Sequence, residues 1–249
     1  MNYKPYPDHY WKDIAHVLNE AKNLNQPIYA AFDADGTLWD TDLGENFFQY
    51  QIDQKIVSLP KDPWNHCNEM KKINNDPRTA YLWLAQINSG QKLADVKNWA
   101  QEAFNELKPS PIFSEQKKLI ELLLKNDVQI FIVTASIKWA VEPGARALGL
   151  NEDNVIGIET FVKDGLVTDV GMEPITYRRG KVEALLKKTK NTKPFLSSGN
   201  TIGDLELVKA ATHFHLCVSA AAQDEKLYRS EHELQTEAKK NNWWGHRFI

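Results

Sequence analysis

"PIYAAFDADGTLWDTD", residues 27–42, holds the decision about the fold. A short apolar run flanked by Pro27 reads as a buried strand, and it stops abruptly at Asp33, Ala34, Asp35, Gly36 and Thr37. Two carboxylates one residue apart repel each other, so something positive must make the arrangement tolerable. In open α/β sheets, chemistry gathers beyond the carboxyl ends of strands, and these residues stand at such an end.

Working outward, the same pattern recurs. "VQIFIVTAS" is a second apolar run and ends in Thr134 and Ser136. "KPFLSSGN" is a third and ends in Ser198, Gly199, Asn200 and Thr201, with Asp204 just beyond. "HFHLCVS" reads as the final strand. Helical patterns lie between them: "HYWKDIAHVLNEAKNL", "SEQKKLIELLLKN" with Ser114 as its N-cap, "IKWAVEPGARALGL" bent or restarted at Pro143, "GKVEALLKKT" and "GDLELVKAA". "DEKLYRSEHELQTEAKKN" is a charged closing helix, and Trp243 and Trp244 behind it dock the tail. "NVIGIETFVKDGLVTDVGM" reads as a strand and a hairpin turning at Asp164-Gly165. Strands alternating with helices predict a Rossmann-like parallel sheet covered on both faces. From Gly44 to Lys108 the character changes to helices rich in aromatics, with no convincing strand. The predicted organisation is an α/β core of residues 1–44 and 109–249 with an inserted helical cap at 45–108.

Composition bounds the function. The chain has 249 residues, 42% hydrophobic and 25% charged, the make-up of an ordinary globular protein. A net charge of -3 with scattered Lys and Glu supplies no basic face for a nucleic-acid backbone, so no such partner is expected. Cys67 and Cys217 form neither a metal pattern nor a disulfide framework and suit a reducing compartment. No apolar run is long enough for a membrane span, and the first residues lack the apolar stretch of a secretory signal. A cytoplasmic location without a membrane partner is the expectation. Spacing says nothing about oligomeric state.

Three carboxylates (Asp33, Asp35, Asp204), Lys181 at a helix start and the hydroxyl of Thr134 are all placed at one sheet edge. Oxygen ligands of this kind suit Mg²⁺ and a substrate phosphate, and the metal is what relieves the repulsion between the paired acids. A calcium helix-loop-helix site does not fit, because a strand precedes the acids and Gly36 comes too soon after Asp33.

Taken together, "FDADGT", "IFIVTAS", "RGKVEAL" and "SGNTIGDLELV" resemble the four motifs of the haloacid dehalogenase-like superfamily of hydrolases. The insertion and the hairpin resemble its phosphoserine phosphatase-like branch. The resemblance implies a phosphatase acting on a small phosphomonoester through an aspartyl phosphate. Asp33 would be the nucleophile, and Asp35 the acid and then the base. Asp33, the carbonyl of Asp35 and Asp204 would hold Mg²⁺. Thr134 would donate to a phosphoryl oxygen, with Ala135 and Asn200 beside the substrate, and Lys181 would offset the charge.

Two departures from the family pattern bear on the site. Asn200 stands where the fourth motif usually begins with an acid. Trp83 aligns with the cap Arg that clamps a substrate carboxylate in phosphoserine phosphatases, whereas Asp42 falls near the acid that meets the substrate ammonium. A cationic head such as that of phosphocholine or phosphoethanolamine is therefore expected, with Trp39 as its aromatic wall. Three other readings compete: a carbon–halogen hydrolase, which does not need Asp35; a phosphotransferase; and a phosphate-binding module without catalysis.

Overall fold

The computed structural model describes residues 3–23 and 26–249. Six parallel strands form the central sheet: β1 (Tyr29–Phe32), β2 (Gln129–Ile137), β3 (Val155–Ile158), β6 (Leu196–Gly199), β7 (Phe214–Ser219) and β8 (Trp244–Arg247). They lie in the order β3-β2-β1-β6-β7-β8. Strand order reverses direction at β1, which pairs with β2 on one side and β6 on the other. That makes the carboxyl end of β1 a topological switch point, the place where such sheets open a crevice.

Alternation along the strands explains why the sheet is covered twice. Ala30 and Phe32 of β1 and Ile130 and Ile132 of β2 join the main apolar core. Ala31, Phe131 and Val133, between them in sequence, join a second cluster on the other face with Leu185 and Leu207. Successive side chains point to opposite faces, so a near-continuous apolar run is what a doubly covered strand requires. Each large side chain so buried contributes about 1.5–3 kcal/mol.

Between β1 and β2 lie α2 (Leu43–Gln54), α3 (Pro63–Lys72), α4 (Arg78–Gln86), α5 (Leu93–Glu106) and α6 (Ser114–Leu124). Helices α2 to α4 enclose a small core of Phe48, Cys67 and Ala80, with Trp64 and Trp83 against it. Phe47, Val96, Ala100 and Ala103 of α2 and α5 pack on Ile137, Trp139, Ala140 and Ile158. The helical insertion thus has apolar contacts of its own and a second set on the sheet. The antiparallel hairpin of β4 (Thr160–Lys163) and β5 (Leu166–Gly171) braces it: Gln86 Nε2 donates to the Asp169 carbonyl at 2.8 Å, and Gly90 N to the Val167 carbonyl at 2.8 Å. The hairpin turns at Asp164 and Gly165, both at positive φ (52° and 78°), as its sequence predicts.

The remaining helices are α1 (Asp8–Lys22), α7 (Lys138–Ala147), α8 (Arg179–Lys188), α9 (Leu205–Lys209) and α10 (Tyr228–Lys240). Three local expectations change. Phe113, not Ser114, is the N-cap of α6, and it offers no side-chain cap. Helix α7 runs through Pro143 without interruption. The tail forms a further strand, β8, parallel to β7, with Trp244 stacked on Phe214 (4.1 Å) and donating to Asp13.

Candidate active site

Local folding at the end of β1 aims the acids. The Ala34 carbonyl accepts from Thr37 N and Leu38 N, closing a turn that Gly36 completes at φ +74°. A β-carbon on Gly36 would lie 2.0 Å from Asn200 Nδ2, so both backbone conformation and space demand glycine. Asp33 continues the strand line, its N–H bonded to the Ser198 carbonyl at 2.9 Å. On β2 the register against β3 shifts between Val133 and Ile137, and this irregular stretch carries Thr134, Ala135 and Ser136 to the same edge. Arg178, at φ +49°, leads into α8 and turns Lys181 inward.

Lys181 then bridges two carboxylates. Its Nζ lies 2.6 Å from Asp33 Oδ1 and 2.6 Å from Asp204 Oδ1, and all three side chains are buried. Asp33 Oδ2 accepts from Thr37 Oγ1 at 2.9 Å. Asp204 Oδ2 accepts from Thr201 N and Thr201 Oγ1, both at 3.0 Å. Burial, then the Asp204 charge, push the Asp33 carboxyl up to about 7 against the pull of Lys181. Burial works against the Lys181 ammonium, but Asp204 and Asp33 outweigh it and hold its pKa above the ordinary lysine value.

Asp35 has a separate environment. Its Oδ2 accepts from Ser136 Oγ at 2.6 Å; its Oδ1 accepts from Trp39 Nε1 at 2.8 Å and Leu43 N at 2.9 Å. Burial raises its pKa, and those hydrogen bonds oppose the shift. One carboxylate is therefore tied to an ammonium and its neighbour to neutral donors, which is how two adjacent acids take different roles.

The donor set fits a hard divalent cation. Among the described residues no group of three or more His, Cys, Asp or Glu side chains is placed to hold a metal. A cation here would draw on the Asp33 and Asp204 carboxylates and the main-chain oxygen of Asp35, with phosphate and water completing the shell. Mg²⁺ is ordinarily held by one or two carboxylates in this way. Lys181 and Thr37 each take one acceptor position on Asp33, which leaves lone pairs free on both of its oxygens.

A cavity of about 690 Å³ opens above these groups. Asp33, Asp35, Thr134, Ala135, Lys181, Asn200 and Asp204 line it, as does Asp42, whose side chain also caps α2 by accepting from Glu45 N at 2.8 Å. Burial, then Asp35 and Glu45, raise the Asp42 pKa well above the ordinary value. Trp39 and Trp83 do not line the cavity. Trp39 is wholly buried in the main core, because its indole serves Asp35 and its ring packs against Gly144. Trp83 packs on Phe48 (5.6 Å) and His66 (5.0 Å) inside the insertion. The aromatic wall is instead Tyr81 and Tyr177, edge to face at 5.7 Å.

Sequence reasoning also passed over Lys71 and Glu231. Lys71 Nζ lies 3.6 Å from Glu45 and 5.9 Å from the Tyr81 ring centre, and it lines the cavity. Only the rotation of α3 decides which of Lys71 and Lys72 faces inward, so spacing carried no signal. Glu231 is buried at the cavity edge with Leu234 and Ala238 on one face of α10, an i, i+3, i+7 spacing visible in the sequence.

Comparison with known proteins adds to this geometry. The model of the family described as haloacid dehalogenase-like hydrolase matches residues 30–209. A curated relative, phosphorylcholine phosphatase from Pseudomonas aeruginosa, is 24% identical over 197 residues, covering 63% of this chain and 56% of that protein. The chain thus spans little more than half the length of that relative. A functionally unknown protein from Anaerococcus prevotii superposes with a TM-score of 0.72 at 14% identity, over 98% of this chain and 95% of that one. Phosphoserine phosphatase in its apo form superposes with a TM-score of 0.52 at 17% identity, over 84% of this chain and 90% of that one. These structures share the fold of this chain.

Proposed function

The chain belongs to the haloacid dehalogenase-like hydrolase family, and from that premise we propose that it is a Mg²⁺-dependent phosphomonoesterase working through an aspartyl phosphate on Asp33. The observation that carries this reading is the Lys181 ammonium, 2.6 Å from both Asp33 and Asp204 beneath the cavity. Positioned charge of this kind is most of what phosphoryl transfer requires.

Asp33 attacks phosphorus; its oxygen–phosphorus bond forms as the ester bond breaks. The departing electron pair goes to the alkoxide oxygen, which takes a proton from Asp35. Burial favours the protonated Asp35 carboxyl, and Ser136, Trp39 and the Leu43 N–H hold it in place. Asp35 then accepts a proton from the water that attacks phosphorus, releasing inorganic phosphate and Asp33. Thr134 and Lys181 stabilise charge on the transferring group, and Asn200 orients the water side of the site. Bound Mg²⁺ supplies further neutralisation of the phosphoryl oxygens. Helices α2 to α5 act as a cap over the core, the 45–108 segment together with the first residues of α2.

The substrate proposed is a small phosphomonoester with a cationic head. Asp42 and Glu45 face the cavity beside Tyr81 and Tyr177, a combination that attracts an alkylammonium through charge and ring faces. The phosphorylcholine phosphatase relative points the same way. Lys71 favours a second reading, since a cavity ammonium is what the carboxylate of phosphoserine would need. Arg78 does not offer this, being paired with Asp76 away from the cavity. Assay of phosphocholine, phosphoethanolamine, phosphoserine and sugar phosphates with Mg²⁺ separates the two. The cationic esters are expected to give the highest kcat/KM, and Asp42→Asn to erode that preference while sparing a neutral aryl phosphate. Phosphoserine as best substrate, with its preference lost in Lys71→Met, would select the second reading.

A further inference from the structure

Glu231 lies outside every motif, on the closing helix, yet it touches three parts of the site. It is 2% exposed. Its Oε2 accepts from Ala220 N (3.0 Å) and Ala221 N (2.9 Å), at the exit of β7. Its Oε1 accepts from Asn200 Nδ2 at 3.1 Å. An ionised carboxylate only accepts, so Asn200 must turn its amide nitrogen toward Glu231 and its oxygen away. That oxygen then faces Thr37 Oγ1 at 3.2 Å, whose single proton lies between it and the nearer Asp33 Oδ2 at 2.9 Å. The amide is held flat against the turn at Gly36, where no β-carbon fits.

We infer that Glu231 is a positioning residue that fixes the Asn200 carboxamide with its oxygen toward the Asp33–Thr37 edge, and so lets a neutral side chain serve the cation-binding side of the site. This rests on the phosphomonoesterase reading. The Glu231 carboxylate also places a negative charge next to a position that carries none of its own. A bound cation needs acceptors, not donors, on that edge.

Donors and acceptors can be counted through a substitution. In Glu231→Gln the new side chain has one acceptor and one donating amide. The N–H groups of Ala220 and Ala221 claim the acceptor, so the new NH₂ faces Asn200. Asn200 then flips to present its oxygen to that NH₂ and its own NH₂ to Thr37 and Asp33, a donor where a cation is drawn. Adding Asn200→Asp removes the conflict, because a carboxylate there accepts from the new amide on one side and keeps an acceptor on the other. With Glu231 intact, the same Asn200→Asp change sets one carboxylate against another.

Mg²⁺ binding by calorimetry and steady-state kinetics on wild type, E231Q, N200D and the double variant test this. E231Q is expected to weaken Mg²⁺ binding about 10-fold or more and to lower kcat with little change in KM. In the N200D background the same substitution is expected to tighten Mg²⁺ binding, reversing its sign. Equal effects of E231Q in both backgrounds would overturn the inference, as would an E231Q enzyme indistinguishable from wild type. Should E231Q alone not fold, the comparison of N200D with the double variant decides, and weaker Mg²⁺ binding in the double variant is the negative result. A wild-type chain that neither binds Mg²⁺ nor hydrolyses any phosphomonoester would instead overturn the proposed function, leaving the two failures distinct.

Discussion

Asp33 and Asp35 are separated by one residue, and the proposed function gives them different tasks because their partners differ. Asp33 meets an ammonium and a second carboxylate; Asp35 meets a hydroxyl, an indole N–H and a main-chain N–H. Replacing Asp33 by Asn removes the proposed nucleophile and leaves Lys181 its bond to Asp204. Turnover is expected to fall on the order of 10³-fold or more while Tm stays within a few degrees, checked by steady-state assay and thermal unfolding. Asp35→Asn is expected to act according to leaving group: a loss on the order of 10²-fold or more for alkyl phosphates and much less for p-nitrophenyl phosphate, whose phenolate departs without a proton. Trp39→Phe keeps most of the ring and deletes the indole donor, so a weaker version of the same leaving-group dependence is expected. An equal loss across leaving groups would remove Asp35 from the acid role. Asp33, Asp35, Thr134, Lys181 and Asp204 were legible because each polar residue follows an apolar run or opens a helix. Trp39 was not legible, since a tryptophan beside a site can face the ligand or brace a catalytic group, and only packing chooses.

At the scale of elements, the near-continuous apolar runs of β1 and β2 made the sheet readable, and the Asp164-Gly165 turn made the hairpin readable. Strand β8 escaped because four residues with a glycine, "WGHR", carry almost no periodic signal; pairing with β7 defines it. The contact of α5 with α7 was equally invisible, since it joins distant segments. There Glu142 of α7 is 1% exposed, and its charged partners are lysine ammoniums. Lys97 of α5 sits 3.1 Å from it and 2.7 Å from Glu152, while Lys138 is 3.8 Å away. Burial raises the Glu142 pKa and Lys97 counters that. Lys97→Met leaves the buried carboxylate with one distant partner. Breaking a fully buried pair costs about 3–5 kcal/mol; because Lys97 is itself 29% exposed, about 2 kcal/mol is expected here. Thermal unfolding should show a Tm lower by roughly 4–8 °C. Adding Glu142→Gln should return most of it, and a double variant no more stable than Lys97→Met alone would mean that the loss is one of packing.

The whole molecule joins these parts around one electrostatic problem. A switch point in the sheet gathers Asp33 and Asp204 about Lys181, and the helical insertion closes over them with Asp42 and Glu45. In chelator the site carries acids under strain, and the sign of that strain can be worked out. Burial and Asp204 raise Asp33 to about 7, above the value of an unfolded aspartate. Between those two values the folded chain binds more protons than the unfolded one, so stability falls as pH rises through that window. Mg²⁺ acts in the opposite sense. It needs the deprotonated carboxylate, so its apparent affinity should weaken about tenfold for each pH unit below about 7. At 100 times its dissociation constant a ligand adds about 2.7 kcal/mol, roughly 5–11 °C in Tm for a chain of this size. The expected result is a Tm in excess chelator that declines from about pH 4 to about pH 7, and a gap between Mg²⁺ and chelator that widens over the same range. Asp33→Asn should flatten the chelator profile and shrink the gap, because it removes both the strained proton site and a proposed metal ligand. A gap that is constant with pH, or one that persists undiminished in Asp33→Asn, would mean that Mg²⁺ binds this chain elsewhere.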